Sequence, residues 1–166
     1  MFLNSTTVIK VGIAQMDIAK SPNSIRTSGL GSCVGVILYD ESKKVAGLVH
    51  VMLPDSKLGR GDTINVAKFA DTGIPAMVDQ LKQEGAQLFK LKAKIAGGAQ
   101  MFQFTSNRDS MRIGPRNVEA VKQQLKSLSI PIVAEDTGGS SGRTIEFDTI
   151  TSILHIRTVN QGVKEI

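Results

Sequence analysis

Apolar residues recur along this chain with two different periods, and the change from one to the other predicts a mixture of strands and helices. Ile9, Val11 and Ile13 alternate with other residues through Val8 to Ile13, the period-two signature of a half-buried strand, which Ser21-Pro22-Asn23-Ser24 brings to an end. After a stretch rich in small residues, Cys33 to Tyr39 is β-branched and apolar. Asp40-Glu41-Ser42-Lys43 is polar turn material, and Val45 to Leu53 is apolar again before Pro54, so the two runs predict a β-hairpin. From Asn65 to Gln83, the residues Val66, Phe69, Ile74, Met77, Val78 and Leu81 fall at helical spacing. Pro75 is expected to kink or split that helix, and Gly85 to stop it. Phe89, Leu91, Ala93 and Ile95 then alternate with Lys90, Lys92 and Lys94, predicting a strand with one buried face and one lysine face, closed by Gly97-Gly98.

A second helix is predicted over Val118, Val121, Leu125 and Leu128, with Pro115 just ahead of it. Ile130 to Ala134, Thr144 to Phe147 and Ile150 to Val159 read as short strands around Thr137-Gly138-Gly139-Ser140-Ser141-Gly142, and the last six residues read as a frayed end. No internal repeat, coiled-coil heptad or long linker interrupts this order. The expectation is a mixed α and β fold, α/β in the α+β sense, in one domain over residues 1–166 with an ordered core of about 8–159.

Composition narrows the function classes. With 166 residues and 41% hydrophobic content, the chain is sized for one ordinary core. The opening MFLNSTTVIKVGIAQMD lacks the charge-then-apolar layout of a secretory leader, and no apolar run approaches the roughly 20 residues that span a bilayer. A cytoplasmic protein without membrane insertion is expected. One cysteine excludes an internal disulfide and a multi-cysteine metal site, in keeping with a reducing compartment, and neither a metal nor a cofactor is expected. A net charge of +5 favours acidic partners, but six Phe and one Tyr are not interleaved with the basic residues as base-stacking platforms would be. That ranks nucleic acid below an acidic protein surface.

The candidate chemistry sits in the hairpin. A turn centred between Glu41 and Ser42 would place Cys33 directly across from His50, with Cβ atoms about 4.5–5.5 Å apart. A slip of one residue would send the two to opposite faces. A thiolate is the reactive form of cysteine, and a neighbouring imidazole either accepts its proton or stabilises it as an ion pair. The same cysteine also reads as a small buried hydrophobe on an apolar strand. In Thr27-Ser28-Gly29-Leu30-Gly31-Ser32-Cys33, the glycines permit close backbone approach, so that N–H groups around Ser32 and Cys33 would converge on a developing oxyanion. Thr27 and Ser28 both offer a hydroxyl to orient the imidazole, although ordinary turn chemistry uses the same residues. The lysine face of Lys90 to Lys94 reads as a contact for an acidic protein or as a solvated surface. Met101 and Phe102 read equally as an exposed apolar contact for a partner or as core packing. Gly138 to Arg143 lacks the Gly-Lys-Ser/Thr ending of a phosphate-binding loop and reads as a surface turn, and His155 as a strand histidine without partners at metal spacing.

Leu30-Gly31-Ser32-Cys33-Val34, His50-Val51-Met52-Leu53-Pro54, Ala70-Asp71-Thr72-Gly73-Ile74-Pro75, Gly97-Gly98-Ala99-Gln100-Met101-Phe102, Ile113-Gly114-Pro115-Arg116-Asn117-Val118 and Asp136-Thr137-Gly138-Gly139 together resemble the CheD family of chemoreceptor glutamine deamidases, over about Val8 to Val159. The resemblance implies a Cys–His–Thr triad on Cys33, His50 and Thr27. It also implies a layered fold of mixed β-sheets packed with helices, similar to the catalytic domain of deamidating bacterial toxins. The implied substrate is a set of glutamines on the helical cytoplasmic part of methyl-accepting chemotaxis receptors, converted to glutamates with release of ammonia. A further implied partner is the CheC phosphatase, and the alternative reading is a regulatory binding module for that phosphatase with catalysis secondary.

Overall fold

A computed structural model of the chain describes residues 6–59, 64–101 and 112–166. In chain order the strands are β1 (Val8–Val11), β2 (Met16–Lys20), β3 (Ser24–Leu30), β4 (Val34–Asp40), β5 (Val45–Val51), β6 (Lys92–Gly97), β7 (Ile132–Thr137), β8 (Arg143–Asp148), β9 (Ile153–Thr158) and β10 (Gly162–Glu165). Helix α1 (Ala70–Gln83) lies between β5 and β6, and α2 (Ile113–Ser127) between β6 and β7. The strands form two five-stranded sheets, one ordered β1-β3-β8-β9-β10 and the other β2-β5-β4-β6-β7. Each sheet is mixed, since β1 pairs β3 in parallel and β6 pairs β7 in parallel, while the other pairings are antiparallel.

The second sheet is covered on both faces, which explains why β4 and β5 are apolar almost without interruption. Ile37 and Tyr39 of β4 and Ala46 and Leu48 of β5 face the first sheet, where they join Ile25, Ile145, Phe147, Leu154 and Ile156 in one core. Val34, Val36, Leu38, Val49 and Val51 point the other way, into a second core shared with the helices. Helix α1 buries Ala70, Gly73, Ile74, Met77, Val78 and Leu81, and α2 buries Gly114, Asn117, Val121 and Leu125. These are the three- and four-residue spacings that put one stripe of a helix against a sheet. The result is a mixed α and β protein in three layers, sheet on sheet on helices. No helix among the described residues is long and apolar enough to cross a membrane.

Several expected elements change. β1 stops at Val11, leaving Ile13 exposed, a separate β2 follows before Ser21, and β3 occupies the small-residue stretch expected to be loop. The polar Arg26, Thr27 and Ser28 hide β3 from a hydrophobicity pattern, and the strand forms because it pairs on both edges, with β1 and with β8. Helix α1 begins at Ala70, behind a separate 3₁₀ turn at Val66–Lys68, and runs unbroken through Pro75. Burial of Ile74 before the proline and of Met77 and Val78 after it keeps both sides of the helix on the sheet. Leu88–Lys90 is likewise a 3₁₀ turn, so Phe89 is 82% exposed instead of buried. The chain end is paired: β10 adds to β9, and Ile166 and Leu154 exchange two backbone hydrogen bonds of 2.9 Å.

The lysine face is the clearest correction. Lys94 is buried between the sheets, because β6 is an inner strand covered by the first sheet. Its Nζ donates to the carbonyls of Ser152 (2.6 Å) and Ile166 (2.9 Å) and lies 5.7 Å from the centre of the Tyr39 ring. Desolvation lowers its pKa from the usual lysine range. Lys94→Glu should therefore destabilise the protein by about 3 kcal/mol or more, because it sets a buried carboxylate against two carbonyls. Lys90→Glu should stay within roughly 0.5 kcal/mol of wild type, as surface changes do. Urea unfolding of both variants checks this, and equal effects would contradict the placement of Lys94.

Candidate active site

The candidate residues gather at one end of the seam between the two sheets. β3 of the first sheet carries Thr27, which is 2% exposed, and β5 of the second carries His50, which is fully buried. Thr27 Oγ1 lies 2.7 Å from His50 Nδ1 and 2.7 Å from the carbonyl oxygen of Val11, its own pairing partner on β1. A hydroxyl has one proton and a carbonyl only accepts, so Thr27 donates to Val11. His50 must then donate its Nδ1–H to Thr27. That bonding pattern assigns the tautomer and leaves Nε2 as a bare acceptor, buried and without a hydrogen-bond partner. Ser28, the other candidate orienter, is exposed on the next position of β3.

The hairpin closes one residue later than expected. Its turn is Glu41–Lys44, with the Asp40 carboxylate accepting from Ser42 N, Ser42 Oγ and Lys43 N. His50 therefore faces Gly35, and Cys33 is not directly opposite it. The shift moves pairings by two residues, and since side chains alternate at a period of two, Cys33 stays on the same face as Gly35 and His50. Cys33 becomes the diagonal neighbour of His50, at a separation of about 7–8 Å between backbones that a long side chain spans. Cys33 is half-buried and packs against the inter-sheet core.

Both groups are held neutral. Desolvation pulls the His50 pKa from 6.5 down to about 4. Desolvation also raises the Cys33 thiol, outweighing its own amide N–H, which acts in the opposite sense. This environment favours the uncharged form of each group over a thiolate and an imidazolium.

The backbone before Cys33 is tied down one peptide at a time. Gly31 O accepts from Ala99 N (2.8 Å), Ser32 O from Asn117 Nδ2 (2.9 Å), and Cys33 O from Gly98 N (2.8 Å). A Cβ on Gly97 would overlap the Cys33 carbonyl, so the Gly97-Gly98 pair is what lets β6 come this close. Among the described residues, the N–H groups of Ser32 and Cys33 enter no backbone–backbone hydrogen bond. The Gly138-Gly139 turn is docked on this region, Gly138 N donating to Gly97 O (3.0 Å) and Gly139 O accepting from Gln100 N (2.9 Å). Met101 is 44% exposed and lies on Gly31, while Phe102 falls outside the described residues. His155 is apart from this cluster, half-exposed on β9 beside Glu165 at 3.4 Å. Among the described residues no group of three or more His, Cys, Asp or Glu side chains is arranged to hold a metal ion.

Two participants were not foreseen from the sequence. The Val11 carbonyl depends on strand pairing and leaves no residue-type signal. Asn117 does leave one, an amide at helical spacing with Gly114, Val121 and Leu125 on a stripe that is otherwise apolar.

The family model described as CheD chemotactic sensory transduction matches residues 52–158, more than half of the chain. The chain belongs to the CheD family. Among CheD relatives it is 61% identical, over 159 residues, to the protein named chemoreceptor glutamine deamidase CheD in Halalkalibacterium halodurans, covering 96% of this chain and 98% of that one. It is 58% identical over 166 residues, all of both chains, to the protein of the same name in Bacillus subtilis. The corresponding protein of Bacillus velezensis is 59% identical over 155 residues, 93% of each chain. The CheD model begins beyond Thr27, Cys33 and His50, whereas the Bacillus subtilis match extends over all three positions.

The depressed His50 pKa ties stability to pH. Between about 4 and 6.5 the unfolded chain holds more protons at this position than the folded one, so stability rises with pH across that window. Full stabilisation is present above 6.5, and about 3 kcal/mol is lost by the time pH has fallen through the folded value. Urea unfolding at stepped pH should show this slope, and His50→Gln should remove it. A wild-type profile that is flat over the window would contradict the buried neutral imidazole.

Proposed function

We propose that this chain deamidates glutamine side chains of chemoreceptors, with Cys33 as nucleophile, His50 as general base and Thr27 as the group that orients the imidazole. The observation that carries the reading is the bare, buried Nε2 of a neutral His50, whose other nitrogen is fixed on Thr27, on the same sheet face as a half-buried thiol. The names of relatives up to 61% identical give the substrate class.

In the proposed reaction, Cys33 Sγ attacks the side-chain carbonyl carbon as its proton passes to His50 Nε2. Backbone N–H groups of Ser32 and Cys33 hold the resulting oxyanion. The carbon–nitrogen bond breaks, the Nε2 proton goes to the departing amine, and ammonia leaves. Water then attacks the thioester, giving its proton to His50, and the carbon–sulfur bond breaks to release glutamate and restore the thiol. The base needs no prior charge separation, which suits a desolvated imidazole.

Receptor cytoplasmic fragments incubated with the protein should gain about one dalton per modified glutamine and release ammonia. Cys33→Ala should stop both while leaving the unfolding transition in place, and undiminished release would end the proposal. Thr27→Val should lower kcat on the order of 100-fold, the low end of what a positioned base contributes. The acid limb of kcat/KM should lie near the His50 value of about 4, and its alkaline limb above the ordinary thiol value of 9.0. An acid limb at 6.5 would contradict the buried base.

A second, compatible reading is that the rim beside the site docks a signalling phosphatase of the CheC type. Met101, apolar, exposed and seated on Gly31, supports it. Met101→Glu should weaken capture of purified CheC, whereas Cys33→Ala should leave it intact. Unchanged capture by Met101→Glu would remove Met101 from that surface.

A further inference from the structure

Asn117 is fully buried in the first half of α2. Its Nδ2 donates to two carbonyls, Ser32 O at 2.9 Å and Met52 O at 3.0 Å, while its Oδ1 is buried without a partner. Two acceptors on one amide nitrogen fix which way the side chain is turned, since a flipped amide would oppose an oxygen to both. Each carbonyl borders a candidate catalytic element. Ser32 precedes Cys33, and Met52 follows His50 by two residues.

The consequence lies in the peptide plane. The carbonyl of Ser32 and the N–H of Cys33 belong to one planar trans unit and point in opposite directions. Anchoring Ser32 O on Asn117 therefore aims the Cys33 N–H away from α2. The flanking planes are anchored differently: Gly31 O and Cys33 O are held by the backbone N–H groups of Ala99 and Gly98. Of these three consecutive peptides, the middle one is held by a side chain. Gly114, one turn before Asn117, makes the contact possible, because a Cβ there would overlap the Ala99 carbonyl and push the helix away.

The geometry points to Asn117 as a positioning residue that sets the Ser32–Cys33 peptide so that its N–H serves as an oxyanion donor. It rests on the reading of Cys33 as the nucleophile. Without the Asn117 donor nothing described holds the Ser32 carbonyl, and rotation of that plane would present an oxygen to the oxyanion in place of a hydrogen.

The test compares two reactions of the same sulfur. Deamidation passes through an oxyanion, whereas alkylation by iodoacetamide displaces iodide at a saturated carbon and forms none. Asn117→Ala should lower kcat for receptor fragments on the order of 100-fold, the effect of losing one such donor, with KM and the Cys33 alkylation rate each within about threefold of wild type on the same principle of an effect confined to the transition state. Asn117→Asp, nearly isosteric, guards against a folding failure. Its carboxylate cannot donate, its protonated form can, so its kcat relative to wild type should rise as pH is lowered from 7 to 5. Unchanged kcat in folded Asn117→Ala, or parallel losses of alkylation and deamidation, would overturn the assignment. Cys33→Ala, run alongside, separates the two levels. Its silence with undiminished turnover by Asn117→Ala removes the positioning role alone, and its turnover removes the nucleophile and the positioning role together.

Discussion

The hydrogen-bond chain from the Val11 carbonyl through Thr27 Oγ1 to His50 Nδ1 crosses a largely apolar seam between two sheets, which also holds Lys94 farther along, and the arrangement of the candidate site depends on it. An imidazole buried there cannot turn to water for a partner, so the polar atoms it meets fix its tautomer as well as its orientation. A threonine with its own proton committed elsewhere can act only as an acceptor. Its neutrality matters as much as its position. A carboxylate in its place would draw positive charge onto the ring, whereas here burial alone governs, and the imidazole stays uncharged. Holding a charged thiolate and imidazolium in the same seam would carry a desolvation penalty of several kcal/mol per ion. The neutral pair avoids it.

Layering supplies the second constraint. β4, β5 and β6 lie between the first sheet and the helices, so their apolar side chains are committed to one of two cores. His50 and Cys33 belong to the inter-sheet side, Val49 and Val51 to the helical side. Helix α2 reaches across from its own layer through Asn117, which bridges the chain segments on either side of the hairpin's open end. The site is thus assembled from all three layers, although its candidate chemical groups come from only two.

What the sequence disclosed and what it hid divide along physical lines. The hairpin, both helices and β7 to β9 are legible because burial stamps a period on the side chains, whereas β10 is exposed throughout and reads as a frayed end. β3 is not, since the strand that carries Thr27 is polar and glycine-containing, and one of its two pairing partners, β8, lies far along the chain. The burial of Lys94 is hidden because alternation distinguishes two faces without saying what covers each. The hairpin register is not legible, because a turn beside Asp40 can close one residue earlier or later with the same composition, yet Cys33 and His50 keep a common face, as only an odd shift in pairing separates them. The choice between Thr27 and Ser28 needed coordinates, since adjacent strand residues differ in direction and not in chemistry.

The raised thiol pKa of Cys33 has a bearing on how such a protein endures in the cell. Peroxide and wandering electrophiles consume thiolates, and a sulfur that keeps its hydrogen at neutral pH offers them little to react with. In the proposed reaction its nucleophilicity would be withheld until an amide arrives and His50 draws the hydrogen away, so that the reagent would be generated only at the moment of use. A chain with a single cysteine, and hence no second thiol of its own to rescue an oxidised one, gains durability from that reticence.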